Sequence, residues 1–216
     1  MDIILGWHFC DGPKLRDGTP IEIGKTYSVT GPLVICDNGL HGSRRAIDAL
    51  AYGPGGYACR VESWGEIIEH DDKYCSRYRR VIGAADADLV LHEYACCCAE
   101  VALLLADIIN PCCWEAIEAK RAWMRGEIDD KELAAAARAA AAAATGAWEA
   151  ATGAWAAAAA ARAAAGAWAA RAAAAAAAAA ACAAAAVARG AAAVTGAREE
   201  NELLESMLID ILKIKG

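Results

Sequence analysis

From about residue 134 to residue 197 the chain is almost pure alanine, and this run limits the possible folds more than any other feature. Alanine is the best helix former, so the run predicts helix. As a single rod it would be on the order of 95 Å long at ~1.5 Å per residue. Glycines at 146, 153, 166, 190 and 196 offer places to break it, so two or three helices folded back on one another are expected. Each alanine buries little area, and close backbone approach and the few large side chains must then hold the helices together. The segment "ATGAW" occurs twice with a seven-residue offset, which places Trp148 and Trp155 on one helix face.

The composition changes near residue 90, and the chain reads as α+β: a small mixed α/β domain over residues 1–90 and an alanine-rich helical bundle over residues 91–216. In the first part, "DIILGWHFC" reads as a strand, and "GKTYSVTG" and "GPLVICDNG" as short β-rich runs. "SRRAIDALAYG" has helical spacing with Gly53 as its stop, and Ser43 is positioned to cap it. "GYACRVESWGEIIEH" reads as two strands turning at Trp64-Gly65, and "YRRVIGAAD" as one more strand. The run "SRYRR" reads as a strand with exposed charges, and His70-Asp71-Asp72 as a solvated turn.

In the second part, "ADLVLHEYACCCAEVALLLADII" is apolar almost all round and predicts a buried helix. Pro111 suits the first turn of the next helix, which Gly126 ends. Asp129 or Asp130 then starts a third. The closing "REENELLESMLIDILKIKG" is amphipathic, with Leu203, Leu204, Met207, Leu208 and Ile211 on one stripe. It would cap the bundle or pair with a second copy, and a homo-oligomer is expected.

The formal charge of −7 gives no basic surplus for nucleic-acid binding. The first residues lack a basic region and a long apolar core, so no signal peptide is expected, nor a membrane span. The ten cysteines are then expected to stay reduced in the cytoplasm of a bacterial host. Cys96–Cys98 and Cys112-Cys113 are consecutive and point ~100° apart on a helix, which does not suit one tetrahedral metal, so no metal and no cofactor are expected. The phosphate-loop and nucleophile-elbow motifs do not occur.

The chemistry-bearing residues gather in "GLHGSRRAIDALAYG". Two glycines allow tight turns, and Ser43, Arg44 and Arg45 stand at a helix start that favours an anion. Tyr52 lies at the far end. With His8 and His41 these residues form the candidate ligand-binding set.

Residues 92–200, through "YACCCAEVALLL" and "CCWEAIEAKRAWMRGEIDDKELAAAARAAA", resemble a family of immunity proteins found with bacterial polymorphic toxins. That resemblance implies an all-helical bundle without catalytic residues. Residues 1–90, through "GWHFC", "CDNGLHGSRRAIDALAYG" and "YACRVESWGEI", resemble an uncharacterised domain frequent in phage and prophage proteins. The same residues are similar, more weakly, to ADP-ribosyltransferases. That likeness implies NAD as cofactor, His8 on the ribose, Ser43 and Tyr52 beside the nicotinamide, and Glu93 as catalytic residue. The leading expectation is a phage or mobile-element accessory protein that sequesters an anionic, nucleotide-derived small molecule or a partner protein. The alternatives are the transferase and a self-assembling helical protein.

Overall fold

A computed structural model describes residues 2–53, 55–105, 109–146 and 192–213. The fold is mixed α+β: one five-stranded antiparallel sheet and, among the described residues, five helices. Two compact units divide it. One comprises residues 1–88 and 204–216, the other residues 89–203. The first unit ends at residue 88 and takes in the last turns of the chain.

The N-terminal unit is built from β1 (Ile4–Cys10), β2 (Thr26–Ser28), β3 (Leu40–Gly42), β4 (Tyr57–Glu69), β5 (Tyr74–Asp86) and the short helix α1 (Ala46–Tyr52), together with the end of the chain from residue 204. The long β4–β5 hairpin is its spine. β1 lies on the outer edge of β4. The outer edge of β5 takes β3 at residues 74–76 and β2 at residues 78–80. Trp7 and Ser43 then exchange backbone hydrogen bonds of 2.8 and 3.0 Å. That bridge links the free edge of β1 to the end of β3, so β1, β4, β5 and β3 form a closed ring.

Closure leaves little room inside. A side chain on Gly6 would meet the Tyr74 hydroxyl at 2.2 Å, and one on Gly42 would meet it at 2.7 Å. The two glycines make space for the Tyr74 ring, which is fully buried with its hydroxyl 3.1 Å from Ser63 Oγ. Further along the same face, Cys10, Tyr27, Leu40, Cys59, Val61 and Val81 form the apolar core. Leu15, Ile21 and Val29 cover it.

Several local expectations change. β4 is one strand, not a pair turning at Trp64-Gly65. The chain absorbs Gly65, at φ +87°, as a bulge between Trp64 and Ile67. "GPLVICDNG" is a loop closed by the Val34–Asn38 bridge, because Asn38 turns its side chain onto the carbonyls of Thr30 and Pro32. Within "SRYRR", Arg77 and Arg80 pair with Glu66 and Glu62, but Arg79 points into the core.

In the second unit, α2 (Asp88–Leu105) starts at the junction. α3 (Pro111–Met124) opens with Pro111 in its first turn and the Asn110 side chain accepting from Cys112 N at 3.0 Å. Its C-terminus hands over to Gly126 in the left-handed region. α4 (Asp130–Gly146) begins with a reciprocal cap. Asp129 accepts from the backbone of Lys131 and Glu132, and Glu132 reaches back to Asp129 N. α3 and α4 pack through Ala116, Leu133 and Ala140, with Trp123 and Ile128 at the border. Trp148 and Trp155 lie outside the described residues, as does most of the alanine run.

The last helix, α5 (Ala192–Leu212), buries Leu204 and Leu208. Met207 and Ile211 flank them and Leu203 is exposed, so the buried stripe is narrower than the sequence pattern. Among the described residues, no helix is long and apolar enough to cross a membrane.

Candidate functional site

A cleft of about 180 Å³ opens between the start of α1 and the β4–β5 turn. Arg44, Arg45 and Asp48 line one wall; Glu69, His70, Asp71, Asp72, Lys73 and Tyr74 line the other. The geometry follows from the ring closure. The Trp7–Ser43 bridge fixes the chain just before α1, and the register of β5 sets the hairpin tip beside it. The turn read as merely solvated therefore forms half of the cleft.

The cations are already engaged. Arg44 forms a forked pair with Glu69, which holds that carboxyl below its usual range. Arg45 lies 3.4 Å from Asp48, whose carboxyl burial pushes up, with Asp72 adding to the effect. The Lys73 ammonium lies 4.3 Å from the centre of the Tyr52 ring, and the Tyr52 hydroxyl donates to Asp72. Tyr52 is thus half-exposed at the cleft rim, not part of the core. Three cations face four carboxylates, so the walls carry mixed charge.

The remaining candidates lie elsewhere. Ser43 does not line the cleft and does not cap α1. It is buried in the ring-closing bridge, and Arg45 occupies the cap position with no side-chain cap bond. The backbone N–H of Ala46 is met instead by Glu205, from α5, at 3.1 Å. His41 turns away into the loop before β3, where its Nε2 accepts from Cys36 N at 2.8 Å, and burial holds its pKa down. His8 faces the sheet interior; burial, then the Arg79 charge, hold its pKa below the usual value. Glu93 belongs to α2, in the other unit, where Arg121 bonds it at 2.8 Å and also holds Glu100 and Glu118. Of the predicted set, the structure brings together Arg44, Arg45 and Tyr52.

Sequence reading missed two groups. Glu205 carried only a weak signal, a carboxylate beside the buried stripe of an amphipathic helix. Arg79 carried none, since a strand arginine between other arginines reads as surface.

The N-terminal unit is thus a small closed antiparallel sheet with the short helix α1, the end of α5 and an open, charged cleft. Residues 4–93 match a family described as a domain of unknown function (DUF7666). No curated protein and no solved structure matches the chain.

Proposed function

We propose that the N-terminal unit is a binding module whose cleft takes an anionic small molecule of the nucleotide-derived kind. One observation carries this reading: Arg44, Arg45 and Lys73 reach a single open cleft from two different elements. The pair of Arg44 with Glu69 is exposed and that of Arg45 with Asp48 is half-buried, and an exposed pair contributes only ~0–1 kcal/mol. A phosphate offers a bidentate partner of stronger kind, so exchanging Glu69 or Asp48 for a ligand costs little. Asp71 and Asp72 suit the hydroxyl or amino groups of such a ligand, and Tyr52 offers a ring at the rim. The setting of sequestration in conflict between phage and host is supported by the sequence resemblances alone.

The test is direct. Protein purified under native conditions is denatured, and the released small molecules are read by mass spectrometry. AMP and pyrophosphate are titrated by calorimetry in parallel. Arg44→Ala or Arg45→Ala should weaken binding by about 1.5–3 kcal/mol, the size of a hydrogen bond to a charged group. Release of no anion, together with no heat from either probe, defeats the reading.

A further inference from the structure

The interior of the sheet holds an arrangement that the cleft does not use. Arg79 is 3 % exposed, and its one hydrogen bond among the described residues runs from Nη1 to the carbonyl of His41 at 2.9 Å. Its Nε makes none. Among the described residues no carboxylate pairs with it. A buried guanidinium stays charged, and leaving it without a counter-charge is costly. The groups within its electrostatic reach include the thiols of Cys10 and Cys59, the hydroxyls of Tyr74 and Tyr27 and the imidazoles of His8 and His41.

Register brings the two thiols together. His8 stands opposite Cys59 and Cys10 opposite Tyr57 on the antiparallel β1–β4 pair. Cys10 and Cys59 are therefore diagonal neighbours on one face, and both belong to the same buried cluster. The neighbouring Cys59 thiol, then His8 and the Arg79 charge, hold the Cys10 thiol below its usual range against the effect of burial. The same contact pushes the Cys59 thiol up, with burial adding to the effect. Cys10 is 3 % exposed and Cys59 1 %, so an oxidant that reaches them must be small.

We propose that Cys10 and Cys59 form a redox site, with Cys10 as the reacting thiolate, Arg79 as its counter-ion and Cys59 as the resolving thiol. The oxidant class is a hydroperoxide. The Cys10 sulfur attacks the terminal peroxide oxygen; an S–O bond forms, the O–O bond breaks, and the leaving alkoxide takes a proton from solvent and departs as the alcohol (water, for hydrogen peroxide). Cys59 then attacks the sulfenic sulfur. The S–S bond forms, the S–O bond breaks, and the hydroxyl leaves as water with the Cys59 proton. Two thiols are oxidised by two electrons, and the peroxide is reduced by two. Diagonal neighbours start about 7–8 Å apart at Cα, slightly beyond the ~4.4–6.8 Å that a disulfide spans. At the Arg60/Val61 step, immediately after Cys59, the extra residue Ile82 on β5 interrupts the β4–β5 ladder, so β4 is less held there and can shift to close that gap.

The experiment uses the full chain treated with hydrogen peroxide, denatured into an alkylating reagent and digested. A peptide joining Cys10 to Cys59 is the expected product. It should form at least about tenfold faster than Cys96 or Cys98 is lost, because burial pushes both of those thiols up to about 12. Cys59→Ser should leave a sulfenic acid on Cys10 that dimedone traps. Arg79→Lys should slow the reaction, but the decisive readings come from the unsubstituted chain. Cys10 lost no faster than Cys96 overturns the site. Sulfenic acid that persists on Cys10 with Cys59 present overturns the resolving role.

Discussion

The Glu205 carboxylate accepts the indole N–H of Trp7 at 3.0 Å, across 198 positions of the sequence. The same oxygen caps Ala46 at the start of α1. Trp7 is fully buried, and the Arg60 guanidinium stacks 4.4 Å from its ring centre. One carboxylate therefore ties strand, helix and C-terminus within the N-terminal unit. Glu205→Ala should destabilise that unit by about 1.5–3 kcal/mol, the range for hydrogen bonds to a charged group. Urea unfolding followed by tryptophan fluorescence reads it. A change below about 0.5 kcal/mol would mean the contact contributes nothing.

Gly6→Ala tests the closed ring. The added methyl would meet the Tyr74 hydroxyl and the Ser43 carbonyl, the latter at 2.9 Å. Overpacking of this kind costs about 1–3 kcal/mol. Combining it with Tyr74→Phe, which removes the hydroxyl, should recover part of the loss in thermal unfolding. If it recovers none, the clash lies with the backbone alone.

Lys120 is fully buried on α3, with its ammonium 3.8 Å from the centre of the Trp123 ring and no hydrogen bond at Nζ. Burial lowers its pKa to about 8. Below that value both folded and unfolded chains carry the charge, and the fold bears the full burial cost. As pH rises from about 8 toward 10.5 the cost disappears, so stability should rise. Lys120→Met should stabilise the protein at neutral pH by about 1–3 kcal/mol and abolish that rise, because it keeps the volume and removes the charge. A variant less stable than the parent at pH 7 would show that the ammonium interacts more favourably than its geometry indicates.

His92 packs edge-on against the same Trp123 ring, 5.5 Å between centres, with Nδ1 unbonded. Burial, then the Lys120 charge, lower its pKa from 6.5 to about 4. Between these values the unfolded chain binds a proton that the folded chain refuses. Stability should therefore fall as pH drops from about 6.5 to about 4, by at most ~3 kcal/mol from this group. Carboxylates titrate in the same window, so the readout is the difference between the parent and His92→Gln. Equal slopes would remove His92 as a cause.

Elements with local signals were legible in the sequence. β1, α1 and its stop at Gly53, the Pro111 start of α3 and the Asp129 start of α4 all depend on residues within a turn of each other. The candidate site was legible in half. Arg44, Arg45 and Tyr52 border one cleft because they share a helix and its entry. Its other wall, Glu69 to Tyr74, was not legible, since only the β4–β5 register carries it there.

The alanine run, the change of character near residue 90 and the helices described after it were determined by the sequence itself, because propensity and composition act residue by residue. Ring closure through Ser43, burial of Arg79 beside Cys10 and Cys59, and the reach of Glu205 to Trp7 were decided only by the tertiary structure. Each depends on strand register or on contacts between distant segments, and a one-residue slip would turn the same side chains to the opposite face.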